Sequence, residues 1–389
     1  MKAGKELTYT ELYHLLNNTL SGHEPEQWLK ENDVNLWVNS FHSVSTLDED
    51  MFFHSSTYDV FFDPETAKKY NENFNYPVFV PDSDKARKEC IILLHGLNER
   101  NWDKYLPWAY TLAKQTGKSV ILFPIAYHMD RSPEQWKDPR KMLPYVKKRR
   151  MELPNVNMST VVNVALSERL TAQPERLFFS GYQAAGDVMK LMDSITSGEH
   201  PLFEKGTVID FFSYSIGTFL TQIMMLGNPG NRFDNSKFLF FCGGSAFDDM
   251  YGVSRYILDS EAYVTLKDYY SNTFENDLNR NSGWKQVFNS TAIGDSFRAM
   301  LSLKSLRHYR SGLFSKFRDR LMTITLRQDK VIIPEKANSV LSGTRVEEMD
   351  FNYAYIHENP FPVSDKPSLR NEVNSAFESF IGKVVPFFV

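Results

Sequence analysis

Short runs of consecutive apolar residues alternate along the chain with longer stretches in which apolar positions recur every three to four residues. The runs fall at 90–94, 119–125, 207–212, 237–242, 320–326 and 345–356. Most are rich in Val, Ile, Leu or Phe, as strands are when both faces of their sheet are covered. Their alternation with helical periods from residue 90 onward predicts an α/β fold, a mostly parallel sheet flanked by helices. Helical periods stand out at 184–195 and 369–385. Residues 1–79 are polar and aromatic with weaker periodicity and read as an N-terminal extension, with a helix start at Thr8-Tyr9-Thr10-Glu11 and one or two antiparallel strands near 76–81. Two intervals exceed a simple crossover: 126–206, punctuated by prolines, and 243–319, which has none. The second predicts a helical insertion between strands, so that 80–242 and 320–389 form the core and 243–319 a lid.

Composition narrows the function classes. With 389 residues, 42% of them hydrophobic and 24% charged, the chain has ample material for a buried core. A net charge of −4 gives no electrostatic reason to expect nucleic acid or an anionic membrane as partner. Cys90 and Cys242 are the only cysteines and both lie in apolar runs, which excludes a disulfide scaffold and a cysteine zinc site. The start of the chain has no apolar signal segment and no stretch is long enough to span a bilayer, so the chain reads as soluble and cytoplasmic. There is no His-Glu-x-x-His, and Gly243-Gly244 lacks the lysine or glycine spacing of a phosphate loop, so neither metal nor cofactor is expected. Lys147-Lys148-Arg149-Arg150 reads as a solvated loop face, and Asp210, inside an apolar run, is costly unless hydrogen-bonded.

The stretch "VIDFFSYSIGTFLTQIMML", 208–226, sets an apolar run against a turn of small residues and then a helical pattern at Ile216, Phe219, Leu220, Ile223 and Met224. Ser215 therefore sits between a strand end and a helix start, where the chains approach closely enough to need small residues two positions before and after it. Ser213 and Gly217 meet that need. The geometry exposes a hydroxyl beside the first N–H groups of a helix. The alternative reading of Ser215 is a helix N-cap that satisfies backbone donors.

On these residues the sequence resembles the α/β-hydrolase superfamily, whose nucleophile elbow is Gly-x-Ser-x-Gly, with serine here at the first small position. A nucleophilic serine needs a base, and the base an orienting acid. The superfamily's chain order is serine, acid, histidine. "RQDKVIIP" after the run at 320–326 supplies Asp329, and "YIHENPFP" supplies His357. Asp248 is an alternative acid, since some members carry it one strand earlier. "IILLHGLNER" resembles the superfamily's oxyanion loop: His95 and Gly96 shape it, and the resemblance implies the backbone N–H groups of Leu97 and Ile216 as donors. The resemblance, which extends to uncharacterised bacterial members with an aromatic helical lid, covers about residues 80–389. It implies a serine hydrolase acting on a small-molecule ester through an acyl-enzyme. A thioesterase, lipase or peptidase of the same fold, or a catalytically silent binding protein, stays open. The aromatic residues of the insertion, from Tyr251 to Phe297 and including Trp284, either form a core private to it or roof a pocket above Ser215.

Overall fold

The computed structural model describes residues 7–21, 33–44, 64–281, 285–286, 288–289, 291–304 and 306–389, so Trp284 lies outside the described residues. Eight strands, β1 (Val34–His42), β2 (Asn73–Pro81), β3 (Glu89–Leu94), β4 (Ser119–Leu122), β5 (Val208–Tyr214), β6 (Phe238–Phe241), β7 (Leu321–Leu326) and β8 (Arg345–Met349), form one sheet in the order β1-β2-β4-β3-β5-β6-β7-β8. β2 is antiparallel to both of its neighbours and every other pairing is parallel. The register sets Leu94 beside Ser213, Tyr214 beside Phe241, and Phe241 beside Ile324. The carboxyl ends of β3, β5, β6 and β7 therefore open onto one rim.

The helices are α1 (Tyr9–Ser21), α2 (Pro64–Glu72), α3 (Tyr105–Thr116), α4 (Pro139–Glu152), α5 (Val164–Ala172), α6 (Arg176–Ser197), α7 (Ile216–Gly227), α8 (Ser260–Asp268), α9 (Phe274–Arg280), α10 (Ala292–Leu301), α11 (Arg307–Phe314), α12 (Pro334–Val340) and α13 (Pro367–Phe388). Alternation along β3 divides the core into two. Cys90, Ile92 and Leu94 pack with the apolar stripes of α6, α7 and α10. Ile91 and Leu93 pack with α1, α3 and α13. Trp108 of α3 anchors this second core, stacked on Phe212 at 5.9 Å and edge-on to Tyr214 and Phe361.

Several expectations change. The run at 119–125 pairs only to Leu122, because Pro124 has no N–H for a ladder. The run at 345–356 leaves the sheet at Met349. There Asp350 accepts from the Phe351 N–H and the Tyr355 hydroxyl and turns the chain, so that Phe351 stacks on Tyr353 and Tyr355 meets both edge-on instead of continuing a strand. The basic run at 147–150 is no loop: it lies in α4, capped by Asp138, and Arg149 is buried. Its guanidinium meets Asp259 (2.9 Å), Glu168 (3.2 Å) and the Thr171 hydroxyl (2.8 Å). Asp210 is satisfied by Lys118 and the Lys237 N–H, each at 2.8 Å. Among the described residues, the buried rings of 243–319 form no cluster separate from the main core. Tyr269, Tyr270, Phe274 and Phe297 join Phe178 of α6 and Phe219 of α7 in the first core, whereas Tyr251 and Tyr256 are about half exposed. α10 lies so close to α7 that a side chain on Gly227 would come within 3.1 Å of the Ala292 carbonyl.

Candidate active site

β5 ends at Tyr214 and α7 begins at Ile216, leaving Ser215 alone in the corner with φ 56° and ψ −118°, a conformation rare for a residue with a side chain. The corner is tight because the chains on either side touch. The Ser215 N–H donates to the Phe241 carbonyl (3.2 Å) and the Gly217 N–H to that of His95 (3.1 Å). A Cβ at 217 would sit 2.6 Å from the Leu94 carbonyl oxygen, so glycine is required. Ser213 is buried, its hydroxyl 2.6 Å from that of Thr221 one turn into α7.

Two loops from the same rim meet the serine. The one after β7 presents Asp329, whose Oδ1 accepts from the N–H groups of Val331 (2.8 Å) and Ile332 (2.9 Å), leaving Oδ2 for His357 Nδ1 at 2.7 Å. The His357 loop is held from several sides. Tyr214 donates to the His357 carbonyl and stacks on its ring at 5.7 Å. Lys104 donates to the Glu358 carbonyl (2.7 Å), Tyr353 to that of Pro360 (2.9 Å), and Tyr9 of α1 to that of Phe361 (3.1 Å). With Nδ1–H donating to Asp329, Nε2 is left as an acceptor, and Ser215 Oγ lies 2.7 Å from it. All three side chains are buried. Burial pushes the Tyr214 phenol well above its ordinary pKa, so it remains a donor. Asp248 does not join them: it faces Lys267 at 3.5 Å.

His95 is tied off on both nitrogens, Nδ1 to the Gly96 carbonyl (2.8 Å) and Nε2 accepting from the Ile125 N–H (2.9 Å). Burial, then the neighbouring His128, depress its pKa well below the imidazole range, so it is a neutral brace. Gly96 donates its N–H to the Tyr105 hydroxyl (3.0 Å), and the chain then runs to Leu97 opposite Ile216, the first residue of α7. Leu97 and Ile216 share the wall of an apolar pocket with Leu177, Phe178, Gly181 and Ala185 of α6, Phe219 and Ile223 of α7, and Ile293 and Phe297 of α10. Among the described residues, Phe297 is the one aromatic residue of the series from Tyr251 to Phe297 that lines it. The main wall, α6, carried no sequence signal of a site, and neither did His128, which also lines the pocket. Their roles depend on packing between elements far apart in the chain. Among the described residues no group of three or more His, Cys, Asp or Glu side chains could hold a metal ion, and no helix is long and apolar enough to cross a membrane.

A helix-flanked, mostly parallel sheet with a strained serine at its rim hydrogen-bonded to a histidine thus defines the molecule. By sequence it belongs to a family of unknown function, DUF6051, whose family model matches residues 7–389. No curated protein matches it. Solved structures similar to it include an esterase of Pyrobaculum calidifontis (11% identity, TM-score 0.46, covering 100% of this chain and 94% of that one). A carboxyl esterase of the fungus Tuber melanosporum is similar at 12% identity and TM-score 0.45, covering 90% and 87%. A thermostable esterase of Pseudomonas putida is similar at 10% identity and TM-score 0.41, covering 96% and 97%.

Proposed function

We propose that the protein is a serine hydrolase of the α/β-hydrolase class that cleaves a small-molecule ester through an acyl-enzyme on Ser215. The observation that carries this reading is the pair of 2.7 Å hydrogen bonds running from Ser215 through His357 to Asp329, on a serine held in a strained corner. In this reading Ser215 Oγ attacks the carbonyl carbon as His357 Nε2 takes its proton, and Asp329 steadies the imidazolium. The tetrahedral oxyanion accepts from the N–H groups of Leu97 and Ile216. Its collapse expels the alcohol, which leaves with the proton from His357. Water, deprotonated by the same imidazole, then attacks the acyl-enzyme and frees the acid and Ser215. The pocket bordering Leu97 and Ile216 receives the acyl group, and α10, contributed by 243–319, closes one side of it as a lid element.

A catalytically silent binding protein would keep the pocket without turnover, so labelling decides between the two. A fluorophosphonate probe is expected to label the wild-type protein and leave Ser215→Ala unlabelled. Hydrolysis of p-nitrophenyl esters should fall by a factor on the order of 10⁴–10⁶ in Ser215→Ala, because the three residues act as a unit. Ser215→Ala retaining more than about a tenth of wild-type turnover would overturn the assignment.

A further inference from the structure

The apolar pocket beside Ile216 contains one polar group with nothing to bind. His128 lies in the loop after β4, between Tyr127 (φ 63°) and Met129 (φ 50°), two side-chain-bearing residues both held in the left-handed region. Backbone of that kind persists only where the surroundings over-determine it, and here it presents one imidazole to the pocket. Nδ1 lies 2.9 Å from the Ala126 carbonyl and must carry the proton to donate to it, which leaves Nε2 a bare acceptor. The ring is 7% exposed, and Nε2 is buried with no hydrogen-bond partner. Burial drives its pKa down to about 4, with Arg169 and Arg131 adding repulsion, so the ring is neutral. An acceptor buried without a donor is costly, and one on a ring that lines an apolar pocket is satisfied when a ligand supplies the donor.

Resting on the assignment of this cavity as the acyl subsite of Ser215, we propose that it selects an acyl group with a hydrocarbon body and a hydroxyl that donates to His128 Nε2. The apolar walls of Phe178, Phe219 and Phe297 would take the hydrocarbon, and His128 would discriminate the hydroxylated compound from its plain analogue. A water molecule on Nε2 is the competing way to satisfy it, and it would leave the pocket indifferent to the hydroxyl.

The test separates this proposal from the reading of Ser215 by measuring binding without turnover. Isothermal titration of Ser215→Ala with uncharged amides compares hexanamide with 6-hydroxyhexanamide, and 3-phenylpropanamide with 3-(4-hydroxyphenyl)propanamide. The hydroxylated member of at least one pair is expected to bind about tenfold more tightly, and the pair that responds identifies an aliphatic or a phenolic acyl group. Adding His128→Leu should bring that ratio to about one, and His128→Gln, which keeps a donor for Ala126 and an acceptor for the ligand, should restore part of it. Equal binding within both pairs, absence of binding by all four amides, or a preference surviving in a folded His128→Leu protein would each overturn the proposal. If His128→Leu does not fold, the ratio in Ser215→Ala itself and the His128→Gln result still decide. Fluorophosphonate labelling of the wild-type protein reports separately on Ser215: labelling without a hydroxyl preference sinks only the subsite, and a preference without labelling sinks only the hydrolase.

Discussion

Ser215 is held in its corner by neighbours that cannot be enlarged, and the His357 loop is held by Tyr214, Lys104, Tyr353 and Tyr9 from separate segments of the chain, so the position of one proton acceptor is heavily over-determined. Asp329 illustrates how little freedom remains. With one carboxylate oxygen saturated by two backbone N–H groups, only the other can turn to the imidazole. Asp329→Asn presents an amide to Nδ1 and favours the wrong tautomer, so it is expected to lower kcat on p-nitrophenyl esters by a factor on the order of 10³–10⁴. Asp248→Asn, which alters only an exposed pair with Lys267, should stay within about twofold; a larger loss at 248 than at 329 would reverse the assignment. Ser215, Asp329 and His357 are legible in the sequence because each lies in a short motif of its own after an apolar run. Tyr214 and Lys104 are not, because each donates to a carbonyl of a distant segment, and neither is His128, which meets the pocket only through the packing of distant elements; no local spacing marks any of them.

Among the elements, the apolar strands announce themselves and the mixed ones do not. β1 is an edge strand that leaves Trp37 and Val38 mostly exposed, so its pattern carries no single buried face to read. Gly181 weakens the helical signal of the sequence over the first turns of α6, although the helix itself is continuous, and so hides the part that forms the main pocket wall. The insertion is more deeply built in than its sequence suggests. Asp259 caps α8 through the Ala262 N–H and, with the same carboxylate, holds Arg149 of α4. Arg149→Met strands that carboxylate in the interior and should cost about 3–5 kcal/mol in urea denaturation. Arg149→Met with Asp259→Asn keeps the cap without the charge and should recover at least about half of the loss; no recovery would show that the guanidinium matters through packing alone. Replacing 255–305 by a linker would remove Asp259 and strip α10 from α7. It is therefore expected to unfold the core rather than trim a lid.

At the scale of the whole molecule, buried neutral imidazoles tie stability to pH. His128 titrates near 4 in the folded protein because burial disfavours its charged form, and near the ordinary 6.5 once unfolded. Below about pH 6.5 the unfolded chain binds the proton that the folded chain refuses, so stability falls as pH drops, by roughly 3 kcal/mol from this residue by pH 4. His128→Gln does not titrate, and the difference in unfolding free energy between pH 7 and pH 4 should shrink by about that amount; an unchanged difference would place the ring in water. A different consequence follows from the hydrogen bond between Tyr9 and the Phe361 carbonyl. During synthesis the phenol leaves the ribosome hundreds of residues before the loop it steadies, so the nascent chain carries a finished clamp with nothing to hold. The nucleophile corner likewise precedes its base. In the proposed reaction Ser215 therefore has no base until the loop carrying His357 has been made, however much of the sheet has formed by then.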